Sequence, residues 1–582
     1  MIFYDFEVFR KDWLVVLINP VTKKETVIIN DVKKLQRYYE RHKNDIWVGF
    51  NSRHYDQYIL KALLCGFDAW EINDYIINQN APGWAFSNLL RKIPLINYDV
   101  APLNQSLKQL EGFQGHNIHE SGVDFTIDRK LTEEEIAETV KYCRNDVLEA
   151  INVFAANVVD FEVQLELIRE FNLPLCDLGK TQTQLTAEIL QAEHIDHKDD
   201  FDITLQPYLK RIKKYKNVVD FYKSYITKRE LSDDEKKEIY KKSFSCDVAG
   251  VPHIFGWGGA HGALLQYYGE GIYLHIDVHQ YYPSLVIKND YFPRGVSEEG
   301  KRRYTMMKEE SVRLKAFPEL KNKRNGYKLC NNKMTGGMKD KNSKLYDPKN
   351  NNNICVGGQL AILLLIEMLE PHIELIQSNT DGIIVKLPNI ETYDIVDDIC
   401  YEWECLTGVG LGFDPIITKI YQKDVNNYLF IDVDGKIERK GAYVKELNVM
   451  DNDLPIINKA LNDFMVRGIP VEKTINDCDE LLQFQKICKL TKKFDFVEHN
   501  DKVYKNKCYR IFASKDQRDG TVQKVKYIMP TYDMAYYKFG NTSVHSFIEN
   551  GDITGAKVPD KLDKQWYINL AKERLKQYGI DY

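Results

Sequence analysis

Residues 272–285 read Ile-Tyr-Leu-His-Ile-Asp-Val-His-Gln-Tyr-Tyr-Pro-Ser-Leu. Alternation puts Ile272, Leu274 and Ile276 on one face of a strand and His275 and Asp277 on the other. Taken alone, Asp277 is a strand-end residue that caps the segment after it. Its surroundings add to that. Upstream lies a glycine cluster, Gly256–Gly262. Downstream, two charged helical stretches fall between Lys301 and Gly337, and a helix is expected at about Val356–Leu369. Two apolar strands, Ile373–Ile376 and Ile383–Val385, then flank Asp381-Gly382, a hairpin signal. Lys339–Asn353, rich in Asn, Lys and Asp, reads as an exposed loop.

The chain has 582 residues, 44% hydrophobic and 28% charged, which suits three or four globular domains. No run approaches 18 consecutive apolar residues, so no membrane span is expected. Met1–Asp12 lacks the basic-then-apolar plan of a signal peptide. The eleven cysteines are scattered without CxxC spacing, which argues against a disulfide framework or a zinc site and for a reducing, intracellular compartment. Net charge is −6, but it is unevenly spread. Residues 1–160 carry 18 Lys/Arg against 23 Asp/Glu, a net of −5, whereas residues 301–350 carry 15 against 5, a net of +10. A positive excess confined to 50 residues reads as a phosphate-contacting surface.

The first 160 residues are α/β in pattern, with strands expected at Met1–Phe9, Trp13–Ile18 and Ile46–Phe50. A helix is expected from about Thr132 to Val158, opened by a Thr132/Glu135 capping box and carrying an apolar stripe at helical period. Residues 161–250 read as mostly helical, ending in a loop near Ser243–Pro252, and a separate C-terminal domain is expected from about Lys445. Asp5 and Glu7, two apart on a strand, share a face. Asp56 follows the Ile46–Phe50 strand in Asn51-Ser-Arg-His-Tyr-Asp56. Tyr142 and Asp146, four apart, share a helix face at the rim of the stripe. Four carboxylates from separate elements are the hard oxygen donors that two Mg²⁺ or Mn²⁺ ions require to act on a phosphodiester, and a tyrosine hydroxyl can orient the attacking water.

In order and spacing, DxE, NxxxYD and YxxxD resemble the DEDDy class of 3′–5′ exonucleases, which have an RNase-H-like fold. Ser106-Leu-Lys-Gln-Leu110 resembles a segment that contacts single-stranded DNA in phage polymerase exonucleases, and with the NxxxYD motif it implies DNA contacts at Asn51, Ser106 and Leu107. The second half resembles family B DNA polymerases. Asp277-Val-His-Gln-Tyr-Tyr-Pro-Ser284 is similar to motif A, DxxSLYPS, which makes Asp277 a metal ligand and Tyr282 the gate that excludes a 2′-hydroxyl. Lys328-Leu-Cys-Asn-Asn332-Lys-Met-Thr-Gly336 resembles motif B, KxxxNSxYG. Arg324, Lys328 and Asn332 line one helix face suited to a triphosphate, while Lys333 and Thr335 depart from the pattern. Gln377-Ser-Asn-Thr-Asp381-Gly resembles motif C, YxDTDS. Asn379 replaces its first aspartate and Gly382 its serine, and Asp381 keeps the metal-ligand position. With a carboxylate missing at 379, a less negative metal cage is expected. Gly258 and Gly259 fall where the family has YxGG, and Arg439-Lys-Gly-Ala-Tyr443 resembles its KxY motif with one extra residue, which implies DNA contacts at Gly258, Gly259, Lys440 and Tyr443.

The resemblance implies an α/β multi-domain chain, an RNase-H-like exonuclease joined to a right-hand polymerase of palm, fingers and thumb. The expected division is exonuclease 1–160, helical connection 161–250, first palm part 251–300, fingers 301–350, second palm part 351–445, and thumb with C-terminal region 446–582. Catalysis would fall to Asp5, Glu7, Asp56, Tyr142, Asp146, Asp277 and Asp381. All of these but Tyr142 would hold metal, two Mg²⁺ or Mn²⁺ per active site. The implied partners are primer–template DNA, dNTPs and single-stranded DNA in the exonuclease site; the expected state is a monomer, with no membrane and no terminal protein. The source expected from the resemblance is a virus or a plasmid, and a phage-encoded chain would act in the cytoplasm of an infected bacterium. The departures in motifs A to C, with Gln280 and Tyr281 in place of the usual Ser-Leu of motif A, motivate one alternative, a DEDDy nuclease whose polymerase module has become a DNA-binding platform.

Overall fold

A computed structural model describes residues 1–582. The chain divides into two compact units, each assembled from separate stretches. Residues 1–179, 447–460 and 472–570 form the first, and residues 180–446, 461–471 and 571–582 the second.

In the first unit the strand Ile2–Val8 is the centre of a five-stranded sheet. It pairs antiparallel with Trp13–Asn19, which pairs antiparallel with Lys24–Ile29. On its other edge it pairs parallel with Ile46–Gly49, which pairs parallel with Ile96–Asp99. A strand covered on both faces needs an almost unbroken apolar run, and in Ile2–Val8 only Asp5 and Glu7 interrupt it. The helix Glu133–Ala156 starts at the expected Thr132/Glu135 capping box and turns Cys143, Val147, Ala150 and Val153 into the core. The sheet is therefore covered on the side where its two carboxylates lie.

Residues 447–460 and 472–570, which the sequence suggests as part of a region of their own, belong to this same unit. They contribute a three-stranded sheet (Lys486–Lys489, Cys508–Ala513, Ser546–Ile548) and a four-stranded one (Phe496–His499, Lys502–Tyr504, Gln523–Ile528, Asp533–Lys538). Arg510 shows why the tie holds. Its side chain is fully buried, without a carboxylate partner, and donates to Gln485 Oε1 (3.0 Å) and to the carbonyls of Glu549 (3.2 Å), Gly551 (2.6 Å), Gly112 (3.3 Å) and His116 (2.7 Å). Burial lowers its pKa to about 10. Arg510→Met keeps the length but strands several buried acceptors, each costing ~1–3 kcal/mol. We expect a loss on the order of 3 kcal/mol or more in denaturant unfolding. An unchanged midpoint would show that the guanidinium is dispensable.

The second unit is built on one antiparallel sheet of ten strands. Tyr267–Val278 lies in its middle, between Ile417–Asp424 and Gly382–Leu387, and also pairs at its end with Leu411–Phe413. Beyond Gly382–Leu387 come Glu374–Ser378, Ala260–Ala263, Val251–Gly256 and Ser243–Val248. The expected loop near residues 243–252 is thus a hairpin. Ala249 (φ 51°) and Gly250 (φ 81°) supply the two positive-φ positions of a tight turn, closed by the Val248–Val251 pair.

The Asn-rich stretch 339–353 is likewise not all loop. Residues 348–353 begin the helix Pro348–Leu369, with Asp347 accepting from the Asn350 N–H at 3.2 Å. Asn351, Asn352 and Asn353 are buried and bonded to Thr335 O, Asp200 O and the Thr204 N–H. Distant partners thus hold amides that look solvent-bound in sequence. By length and composition this helix is apolar enough to cross a membrane, but 83% of its most apolar stretch is buried inside the unit, which makes it a core helix.

Candidate active sites

In the first unit, the acidic side chains and the tyrosine singled out from sequence converge on one face of the sheet. Asp5 and Glu7 project from the central strand. Asp56 sits in the first turn of the helix Asp56–Leu64, 3% exposed, and its Oδ1 accepts the Phe6 N–H at 3.0 Å, between those two carboxylates. Tyr142 and Asp146 come from Glu133–Ala156. From the same helix, the Cys143 thiol donates to Asp5 Oδ2 at 3.4 Å, and the ligand atoms of Asp5, Glu7 and Cys143 lie within 4.8 Å of one another.

Ser106 caps the helix Leu107–Gln114 and Leu107 is its first residue. The residue that reaches the carboxylates is the next one, Lys108, which sequence reasoning passed over. Its ammonium donates to Asp146 Oδ1 (2.9 Å) and Glu111 Oε1 (3.1 Å) and lies 4.7 Å from the Tyr142 ring centroid. A lysine inside Ser106–Leu110, the segment that resembles a single-strand contact, was the available signal; its burial, at 8% exposed, shows only in the structure. Asn51, exposed at φ 58°, donates its N–H to Asp99 Oδ1 at 2.8 Å, so its place here is set by backbone rather than side chain.

Burial, then neighbouring carboxylates, push Asp5 and Glu7 well above the ordinary carboxylate range. Burial pushes Asp56 up to about 7 and Glu111 up to about 8. No lysine or arginine forms an ion pair with Asp5 or Glu7, so these buried oxygens fit a divalent cation. A sign follows for stability. Burial favours the neutral acids, so their contribution is full below about pH 4 and is lost as pH rises through about 7 to 8. We expect the melting temperature of metal-free protein to fall between about pH 5 and pH 8, and Mn²⁺ to raise it more at the upper end. A metal-induced shift of equal size at both pH values would exclude a cation at these carboxylates.

In the second unit, Asp277 stands directly opposite Gly382, and the Val278 N–H donates to Asp381 O at 2.8 Å, so the strand ends carry Asp277 and Asp381 side by side. Gly382, the departure from motif C, has a steric reason. A Cβ there would stand 2.9 Å from Ile276 O and 3.2 Å from Asp277 Oδ1. Burial first and Asp381 second raise the Asp277 carboxyl to about 6. These adjacent oxygens also suit a hard cation. Asn379 is held locally. Its Oδ1 accepts the Thr380 N–H at 2.8 Å and faces His261 Nδ1 at 3.1 Å, so it shapes the turn that presents Asp381. The preceding Ser378 hydroxyl meets His253 Nε2 at 2.7 Å, and the His253 ring occupies the space that a Cβ on Gly262 would need.

Beside Asp277 opens a cleft of about 570 Å³ whose walls include Gln280, Ser284, Lys288, Lys308, Lys315 and Lys328. Of the expected triphosphate contacts, Lys328 lines it. Asn332 is exposed one turn further along the helix Lys321–Gly337, and Arg324 lies one turn earlier with its Nε buried and unpartnered. Lys288, Lys308 and Lys315 were missed, although the latter two lie in the +10 segment. Gln280, at φ 45°, donates to Ser311 Oγ at 2.9 Å, tying the turn after Asp277 to the helix Glu298–Arg313. Tyr282 is not among the cleft walls; it is half-buried on another face of its helix, within reach of Cys355. Neighbouring Tyr281 is buried and donates to Gly358 O at 2.6 Å. Thr335 is also buried, against Tyr304 of the adjoining helix, so this departure from motif B faces away from solvent.

Gly258 and Gly259 form the turn before Ala260–Ala263, and a Cβ on Gly259 would stand 3.5 Å from Thr380 Oγ1, beside Asp381. Lys440 ends the strand Ile437–Lys440, half-buried. Tyr443, at φ 75°, has the Arg574 guanidinium 4.8 Å from its ring centroid.

No family model and no curated protein matches the chain. Among solved structures it is similar to the family B DNA polymerase from the hyperthermophilic archaeon Pyrobaculum calidifontis, at 12% identity and a TM-score of 0.41, over 100% of this chain and 78% of that one. A likeness of that size carries neither fold nor function, which rest on the residues themselves.

Proposed function

We propose that the chain is a template-directed DNA polymerase of family B, of the phage type, that adds dNTPs to a primer 3′-OH and proofreads with a DEDDy 3′–5′ exonuclease. The observation that carries the reading is the pairing of Asp277 with Gly382, which sets two carboxylates from different strands side by side beneath a lysine-lined cleft. Motif order along the chain supports it, and so does the sheet of the first unit, in which the antiparallel strands Lys24–Ile29, Trp13–Asn19 and Ile2–Val8 are followed by the parallel strands Ile46–Gly49 and Ile96–Asp99.

In this reading Asp277 and Asp381 hold the divalent cations at the polymerase site. Lys288, Lys308, Lys315 and Lys328 balance the charge of an incoming triphosphate. Gln280 links the strand-end turn to the helix that carries Lys308, which keeps the lysines and carboxylates in one register. At the other site Asp5, Glu7, Asp56 and Asp146 are the cation ligands, Tyr142 orients water, and Lys108 holds Asp146 in place. When bound, paired divalent cations supply charge neutralisation at the phosphate and activate the attacking oxygen.

The test is a labelled primer on a longer template with Mg²⁺. With dNTPs the primer should lengthen, and without them it should shorten from its 3′ end. A primer that shortens but never lengthens would replace this reading with that of a nuclease whose second half only binds DNA.

A further inference from the structure

A second cleft, of about 360 Å³, opens in the second unit, and none of its walls is shared with the lysine-lined cleft beside Asp277. Its walls combine Tyr240, Trp257 and Tyr346 with Gly258, Lys339 and Lys341. Two aspartates also line it, and both are already neutralised. Asp200 is paired with Lys236 and accepts the Tyr240 hydroxyl at 3.2 Å, while Asp233 is paired with Lys341 at 2.9 Å. Lys339 has no acidic partner, and its ammonium stands 3.8 Å from where a Cβ on Gly258 would be. The cleft therefore keeps a positive charge against bare backbone, the arrangement that admits a phosphate.

A second observation is independent of that charge. Trp257 is 3% exposed and its indole N–H is buried without an acceptor in the protein. Buried donors are rarely left so, and an incoming oxygen would satisfy this one. Tyr240, by contrast, is 37% exposed, its hydroxyl is fixed by Asp200 and by Asn352 Nδ2 at 3.0 Å, and its ring is braced by Phe201 with centroids 5.0 Å apart, so the exposed part of a fixed ring is offered for stacking. Gly258 and Gly259 run directly from this cleft to the turn carrying Asp381.

We propose that this cleft holds one nucleotide of an unpaired nucleic-acid strand, its base stacked on Tyr240 and its phosphate against Lys339. The inference rests on the polymerase reading and adds to it the place where the template waits before pairing.

A primer–template carrying 2-aminopurine at successive unpaired template positions tests it, without dNTPs. One position should be quenched in the wild-type complex, and Tyr240→Leu should relieve that quenching. Lys339→Gln, at an exposed position, should weaken binding of the overhanging substrate about tenfold relative to blunt duplex, the size of one base or phosphate contact. Equal losses on blunt and overhanging DNA, or quenching indifferent to Tyr240→Leu in a variant that melts like wild type, would overturn the proposal. A single free dNTP that abolishes the quenching in competition would also overturn it, since the site would then take mononucleotides. Failure of the polymerase reading shows separately, as a wild-type protein that never extends the primer.

Discussion

Asp277→Asn and Asp381→Asn are each expected to lower primer extension on the order of a thousandfold, the upper range for removing one preorganised electrostatic partner of a transition state. Asparagine keeps the shape of each side chain, so neither change leaves a cavity, and the strand pairing of Asp277 with Gly382 is a backbone matter that persists. What is removed is charge, at the one place where two strand ends bring carboxylates together beside four lysines. Degradation of single strands should stay within about twofold of wild type, because the two carboxylate sets belong to separate compact units and share no partners. Extension at the wild-type rate by either variant would mean that nucleotidyl transfer takes place elsewhere or not at all.

Asp5→Asn combined with Glu7→Gln should have the opposite profile, with shortening lost by on the order of a thousandfold and extension retained. This variant also carries a stability signature that a purely structural role would not produce. Burial and mutual repulsion hold both carboxyls well above their ordinary range, so ionising them strains the metal-free protein. Amides in their place remove that cost. The double variant should therefore melt higher than wild type in chelator at about pH 8, and the stabilisation by Mn²⁺ should shrink. A variant that melts lower in chelator and still shortens primers would dissociate these residues from cation binding.

Much of both sites was legible because local pattern is enough for it. Asp5 and Glu7 share a strand face by the period of two, Tyr142 and Asp146 share a helix face by the step of four, and Asp381-Gly382 announces its own hairpin. Lys108 was not legible in the same way. Its sequence neighbours mark a helix start, and its function depends on Asp146, 38 positions away and on another element. Tyr281 and Tyr282 posed a similar limit: adjacent rings look alike in sequence, and packing alone buries the first against Gly358 and leaves the second facing Cys355.

The sequence by itself determined the elements that form the two sites and the order of the acidic motifs, since strand and helix periods, capping boxes and charge runs are properties of neighbouring residues. Only the tertiary structure decided which side chains are partners. It made the asparagines at 351–353 buried struts, because Thr335, Asp200 and Thr204 meet them from other elements. It made Gly382 a necessity, because the Asp277 strand passes too close for a Cβ. It drew residues 472–570 into one unit with the first 179, through a buried Arg510 whose acceptors lie up to 398 positions away. Contacts of that range leave no local period in a sequence, because each depends on where two separately folded segments meet.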